Sequence, residues 1–567
     1  MTGPLRERVA AALRSPHAPE LAAGLALLLS LPSLLLGELL DDHLLRAAAR
    51  DPEGPAAWDR FAFVQPGASA MLRERGWAGW WAADDLELRM LRPLSSLTHA
   101  LDHALWPDAA WLMHLENVLI YALLTWVVAR LIQRVHGPGL VAGIAALVFA
   151  IDESHAPTVM WIAGRNTMLA ALFGILAVWA HLRWRDPGGG RRWPFALAGP
   201  LCFALALASG EAGLCSFGYL LAWTLVYEPR SWRGWLSLAP YLGIMVAWRI
   251  VYVAYGFGVT GSSLYLDVGA EPLIFLARAA IYPPSLATAQ LSLPVADLLL
   301  MVPASWIALT LLFAGLVWAI APVLGREGKF WLLGMLFAAV PLAATIPTSR
   351  LLLLVGAGGS ALVGLAWVGW RERVLVGFGR RVLVGLILVG NLILTPLVFV
   401  PYGLANGMLE APHEALAEQL PADVEVCVVL NLPAEIIGLY PRAVRERDGG
   451  RWPDHVYTLY AGRDPLEVER IDATTLELRS EAGWAAERID RLVRDWREGF
   501  EVGEQVVLER ARVEVLEVGE EGRPRRVRVR FDRDLDELGI FGFDPKLERW
   551  RPIVGEARVF QAAIGEG

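Results

Sequence analysis

Residues 21–42 read LAAGLALLLSLPSLLLGELLDD, an apolar run broken only by Glu38 before it ends at Asp41 and Asp42. A helix of about 20 apolar residues crosses the hydrocarbon of a bilayer, so this stretch is long enough to span one. Arg6, Arg8 and Arg14 precede it, as they would a secretory signal. The run exceeds the roughly 7–15 apolar residues of such a signal, and acids follow it where small residues would mark cleavage. It is therefore read as an uncleaved first span.

Ten similar runs follow, at 112–133, 139–152, 164–182, 195–209, 212–227, 236–255, 302–323, 330–346, 351–369 and 382–400. Over the 567 residues, 55% are hydrophobic and 19% charged, with a mean hydropathy of +0.43. Soluble domains carry about 25% charge, so a water-soluble globule is excluded. The fold class expected is an α-helical polytopic membrane protein with about eleven transmembrane helices and a C-terminal β-rich soluble domain.

Arginine in the short connections sets the orientation. Arg130, Arg134, Arg183, Arg185, Arg230, Arg233, Arg326, Lys329, Arg371, Arg373, Arg380 and Arg381 fall in alternate connections, and the opposite ones carry little beyond Arg165, Arg278 and Arg350. The N-terminus is then cytoplasmic. The division expected is a transmembrane domain, 1–401, with extracytoplasmic loops at 41–111 and 256–301, and an extracytoplasmic α+β domain, mainly β, at 402–567. The location expected is a bacterial inner membrane, with the C-terminal domain periplasmic.

In the tail the apolar period shortens to two. Val424, Val426 and Val428 alternate, as do Leu476 with Leu478, and Val513, Val515, Val527 and Val529 flank the turn Gly519–Gly522 as a hairpin. One helix is expected at about 485–496. The net charge of -8 has no basic block, which argues against nucleic acid. Cys202, Cys215 and Cys427 lack metal-ligand spacing.

Charges in or beside spans are expensive to insert, so their placement is informative, and they gather on the extracytoplasmic side. If the first helix continues, Glu38 shares a face with Asp41 and Asp42. Carboxylates so close raise one another's pKa, as a general base near neutral pH requires. An ordinary solvated span end competes with that reading.

A second cluster holds Arg92, His99, Asp102, His103, His114, Glu116 and Asn117. His99, Asp102 and His103 share a helical face and would offer three ligands to a divalent metal, but no fourth ligand supports one. A third holds Asp152, Glu153 and His155, leading to Arg165 at a span mouth, where a guanidinium fork matches phosphate oxygens or simply snorkels to the interface. Glu211 and Arg350 stand nearly alone among apolar residues. The 256–301 loop is too long for a plain connector, and Tyr265 with an apolar helix from Pro272 to Tyr282 is placed to cover a lipid groove.

The order of these motifs resembles the GT-C superfamily of membrane glycosyltransferases, in its protein O-mannosyltransferase-related branch. Asp41-Asp42 is similar to the first-loop Asp motif. Arg92-Pro93-Leu94, followed by Asp102, Leu105-Trp106 and His114 to Asn117, looks like that branch's Arg-Pro-Leu stretch. Phe149-Ala150 through His155, Trp161, Gly164-Arg165 and Asn166 resembles its next segment, Ser209-Gly210-Glu211 occupies the place of a Lys-Glu pair, and Ser349-Arg350 resembles a late Ser-Arg. Asp152 stands where His is usual, and the Lys of Lys-Glu is absent.

The resemblance implies transfer of a sugar from a polyprenyl-phosphate carrier to a hydroxyl of a glycan, lipid or protein on the extracytoplasmic face, with no cofactor assigned. It implies Asp41 or Asp42 as general base and Arg165 and Arg350 as phosphate ligands. Glu38, Arg92, His99, Asp102, His114, Asp152, Glu153, His155 and Glu211 would support them. An inert protein of the same fold, its tail a binding or assembly module, is the alternative. A secondary transporter fits less well, because the charges lie at span ends and no internal repeat is detected.

Overall fold

The computed structural model describes residues 3–186, 192–300, 302–487, 489–544 and 549–552. Among them, nine helices are long and apolar enough to cross a membrane: Ala18–Leu35, Ala110–His136, Leu140–Val159, Ile162–Arg185, Trp232–Ala254, Ser305–Val323, Gly325–Ala344, Ser349–Arg371 and Phe378–Gln419. Two shorter helices, Trp193–Ser209 and Cys215–Tyr227, fill the remaining expected places. The chain is thus a multi-pass membrane protein whose tail is rich in β-strands.

With no hydrophobic force between helices in lipid, close approach of small residues supplies the packing. A Cβ on Gly218 would stand 2.4 Å from the backbone nitrogen of Ala338, so those two helices touch backbone to backbone.

The first span corrects the sequence reading. Its helix passes into a 3-10 turn at Leu31–Leu35 and stops, and residues 36–40 leave it before a new helix begins at Asp41. Pro32 lacks the N–H a continuing helix needs, and Ser30 and Ser33 hydroxyls donate to the carbonyls of Ala26 and Ser30 at 2.8 Å. Glu38 therefore shares no helical face with Asp41 and Asp42.

The 256–301 segment also exceeds expectation. Its helix runs on from Pro272 to Ser292, and the second half is buried among the spans. At one end of the bundle this segment, the 41–111 loop and the tail interlock. Strands Ala62–Val64, Glu87–Arg89 and Gly258–Thr260 form one antiparallel sheet across the two loops. Trp80 Nε1 of the first loop and Trp484 Nε1 of the tail both donate to the carbonyl of Leu459, at 3.1 and 2.9 Å.

The tail holds two sheets. One is five-stranded and antiparallel, and contains the expected hairpin as Ala511–Val518 and Pro524–Phe531. The other orders Arg549–Pro552, Gly539–Asp544, Val426–Val429 and His455–Thr458, with parallel pairing around Val426–Val429. That strand is buried on both faces, as a central parallel strand is. No helix occupies 485–496 among the described residues; a single 3-10 turn, Ile489–Arg491, lies there. Val493 and Trp496 of that stretch are buried in the core shared by loop and tail.

Candidate functional site

Where the interlocked loops meet the spans they enclose a cavity of about 860 Å³, within the usual range for ligand sites. Its wall carries the charged side chains Asp41, Arg92, Glu211, Arg249, Asp267 and Arg350 among apolar ones that include Phe217, Leu221, Met245, Trp248, Phe275 and Phe337. Tyr265, and Phe275 from the start of the Pro272–Ser292 helix, are among its lining residues.

Asp41 opens the helix Asp41–Arg50, and Leu40 before it has φ of 51°. A leucine held in the left-handed region is strained, and such strain clusters at functional sites. On the helix that follows, adjacent side chains point in different directions, so the two carboxylates diverge. Asp42 is 2% exposed and faces inward. Its Oδ2 accepts from the N–H of Leu39 at 2.9 Å and its Oδ1 from the N–H of Ala163 at 2.7 Å, which fixes the helix start against the next loop. Asp41 faces the cavity, and its Oδ1 accepts a hydrogen bond from the Tyr440 hydroxyl at 2.8 Å.

Burial raises the pKa of Asp41 above the ordinary carboxylate value, opposed by the Tyr440 hydrogen bond and by the positive charges of Arg350 and Arg92. Burial also raises that of Asp42, where Glu38 is a lesser contribution. Desolvation thus replaces the mutual carboxylate repulsion expected from sequence. Tyr440→Phe removes a donor that favours the ionised carboxylate, so the Asp41 pKa should rise further. If Asp41 works as a base, the acid limb of the rate profile should move up by about 0.5–1 pH unit, since a neutral hydrogen bond is worth about 1 kcal/mol.

Of the three arginines lining the cavity, Arg92 and Arg350 are the ones whose charge acts on Asp41. Arg92 Nε is 2.8 Å from Glu211 Oε2, so its charge is partly spent. Arg350 lies over the Trp161 indole, 5.7 Å from the ring centroid. No carboxylate lies within ion-pair distance of it among the described residues. The Trp161 ring is itself held by Nε1 donating to the carbonyl of Leu39 at 3.0 Å.

The other expected residues lie elsewhere. Arg165 does not stand at an open span mouth. It is fully buried, with Nη1 at 2.6 Å from Asp102 Oδ2 and 2.9 Å from Glu116 Oε2, and Nε at 2.9 Å from Asn117 Oδ1. Asp102 is drawn into that pair and away from a metal site with His99 and His103. His99 instead packs edge-on to Phe61, with centroids 5.7 Å apart. Among the described residues, the set that could hold a metal is Glu74, His455 and Glu509, in the loop and tail.

Asp152, Glu153 and His155 form a separate buried group. Asp152 Oδ2 accepts from Gln290 Nε2 at 2.5 Å, Glu153 Oε1 from the N–H of Val295 at 3.2 Å, and His155 Nδ1 lies 3.1 Å from the Tyr121 hydroxyl. They tie the 272–292 helix to the spans. His114 Nε2 is 3.0 Å from the carbonyl of Gly37, steadying the segment before Asp41. Glu38 pairs with Arg46 at 2.7 Å and with His43 at 3.7 Å. His43 also meets Glu410 at 2.5 Å; burial opposes its charge, but the two carboxylates outweigh burial and push its pKa up to about 9.

Sequence reasoning missed Tyr440, His43 and the Arg249–Asp267 pair, 3.2 Å apart. For Tyr440, 399 positions from its partner, no local signal exists.

Fold and site together define a multi-pass membrane protein with a largely apolar chamber, carrying a few charged side chains, where its loops meet the spans. No family model matches the chain. A stretch of 139 residues is 31% identical to protein O-mannosyl-transferase TMTC2 of Mus musculus, covering 24% of this chain and 16% of that protein. The Homo sapiens protein of the same name is 30% identical over 139 residues, again 24% and 16% of the two chains. The match therefore spans about a sixth of the curated relatives. Over that stretch the chain is similar to the branch its motif order resembles. ArnT from Cupriavidus metallidurans, solved bound to undecaprenyl phosphate, aligns over 90% of this chain and 97% of that one, with 15% identity and a TM-score of 0.38. Its apo form gives 13% identity and a TM-score of 0.41.

Proposed function

We propose that the chain is a membrane glycosyltransferase that moves a sugar from a polyprenyl-phosphate donor to a hydroxyl-bearing glycan, lipid or protein on the extracytoplasmic face of a bacterial inner membrane. One observation carries the reading: a single chamber is lined by a carboxylate with raised pKa, an arginine with no carboxylate partner among the described residues, and a set of apolar side chains able to meet a lipid chain. Asp41 takes the proton of the acceptor hydroxyl as it attacks the anomeric carbon. The carrier phosphate leaves, and Arg350 and Arg92 stabilise its charge, with Glu211 fixing the orientation of Arg92.

Arg165 drops out of the phosphate role in this reading and becomes a support for the 93–105 helix. The transmembrane part, 1–401, and the tail, 402–567, act together, since Tyr440 of the tail holds the proposed base. The inert alternative is set apart by whether a polar cavity joins Asp41 and Asp42 to Arg165; the chamber contains Asp41 but neither of the other two, and it is Arg92 and Arg350 sharing it with Asp41 that support transfer.

The test is the lipid-linked sugar pool of a strain lacking the protein. The donor should accumulate, wild type should clear it, and Arg350→Gln should clear it about 10²–10³-fold more slowly, the usual cost of one preorganised charge-stabilising donor. An unchanged pool in the deletion strain would sink the reading.

A further inference from the structure

Asp41 stands at a neck between two spaces. Behind it, away from the chamber, is a pocket of about 100 Å³ lined by Asp41, Leu44, Phe63, Trp77 and Tyr440 among others. That pocket shares Leu44, Phe63 and Trp77 with a groove of about 840 Å³. Every residue lining the groove comes from the 41–111 loop or the tail, and none from an apolar spanning helix. The three spaces adjoin one another through shared lining residues, Phe63 being common to all, between the spans and the part of the molecule built from loop and tail.

The groove holds one arginine with nothing to neutralise it. Arg46 pairs with Glu38 at 2.7 Å, Arg50 with Asp108 at 3.3 Å, Arg442 with Glu446 at 2.8 Å and Arg447 with Asp448 at 2.7 Å. Arg60 has no carboxylate in range among the described residues, and its Nε and Nη1 are buried without a hydrogen-bond partner. Burying such donors unpaired is costly, and an anion would relieve that cost with a forked pair of hydrogen bonds. Trp77 lines the same groove; Arg442 lies over one face of its indole, 5.8 Å from the centroid, and its Nε1 is buried without a partner among the described residues. An aromatic face with a free N–H suits a sugar ring, apolar on its faces and polar at its edge.

We propose that this groove is the acceptor subsite and that the acceptor is an anionic saccharide, its acidic group on Arg60 and a sugar ring against Trp77. The inference rests on the glycosyltransferase reading and deepens it. A displacement needs the attacking oxygen and the leaving phosphate on opposite sides of the anomeric carbon. With the donor phosphate at Arg350 and Arg92 in the chamber, the hydroxyl arrives from the neck. Its oxygen forms the new bond to the anomeric carbon as the bond to the carrier phosphate breaks. The phosphate keeps the electron pair, and the hydroxyl proton passes to Asp41.

Binding to the full-length protein in detergent tests this with three tetrasaccharide probes: tetragalacturonate, its neutral methyl ester, and a phosphorylated maltotetraose. At least one anion should bind tenfold or more tightly than the ester, and the tighter of the two names the acidic group. Arg60→Gln should abolish the preference, and Arg512→Gln, on the far sheet, should leave it intact. Equal binding of all three probes, no binding of any, or a preference that survives Arg60→Gln overturns the proposal. If Arg60→Gln does not fold, Arg60→Met serves in its place and is read by the same criterion. The measurement needs neither donor nor turnover, so its failure is distinct from a failure of the transfer reading.

Discussion

Asp41→Asn is expected to lower sugar transfer about 10²–10⁴-fold while the protein folds and melts as wild type does. General base catalysis contributes that factor, equal to about 3–5 kcal/mol of barrier at about 1.4 kcal/mol per tenfold. Asn retains the Oδ1 that accepts from Tyr440, so the substitution removes basicity and leaves the contact in place. Asp42→Asn is the informative contrast. Both Asp42 oxygens accept backbone N–H groups, at 2.9 and 2.7 Å, and an Asn amide there sets a donor against a donor. Leaving one buried amide unsatisfied costs about 1–3 kcal/mol, so this variant should lose stability first and activity only in proportion. Transfer assays on matched amounts of each membrane-extracted protein, with melting curves, separate the two. Wild-type transfer by Asp41→Asn would remove it as base.

The membrane class was legible because apolar length is a direct physical requirement of the bilayer. The placement of charge was legible only in part. Asp41-Asp42 pointed to a candidate site, yet which aspartate faces the cavity follows from the break after Leu35 and the new helix that begins at Asp41. Pro32 is visible in the sequence, but its effect on a helix already inside an apolar run is not settled by the pattern. Arg165 and Arg350 look alike in sequence, each an isolated arginine at a span start. What separates them is whether carboxylates from other helices reach them, which is a property of packing. The tail was read as separate because β-periodicity begins there, whereas Trp80 and Trp81 of the first loop sit in its core. Contacts such as Tyr440 with Asp41 arise only from that docking.

Arg165→Met is expected to destabilise the protein more than any substitution in the chamber. The guanidinium is wholly buried and holds Asp102 and Glu116 at 2.6 and 2.9 Å, with Asn117 Oδ1 and the carbonyl of Met113 taking its other donors. Removing it leaves two like charges side by side, one of them buried, and breaking a buried pair in this way costs about 3–5 kcal/mol. Burial already raises the Asp102 pKa, with Arg165 opposing that rise and Glu116 adding to it. Without the arginine the carboxyl favours its neutral form more strongly, so the deficit should grow as pH rises and shrink toward acid. Adding Asp102→Asn should recover part of the loss by removing the orphaned charge. Melting temperature in detergent, read across pH for the single and double variants, tests this. A single variant that melts as wild type does, yet fails to transfer sugar, would return Arg165 to the phosphate role that its position in the sequence first suggested.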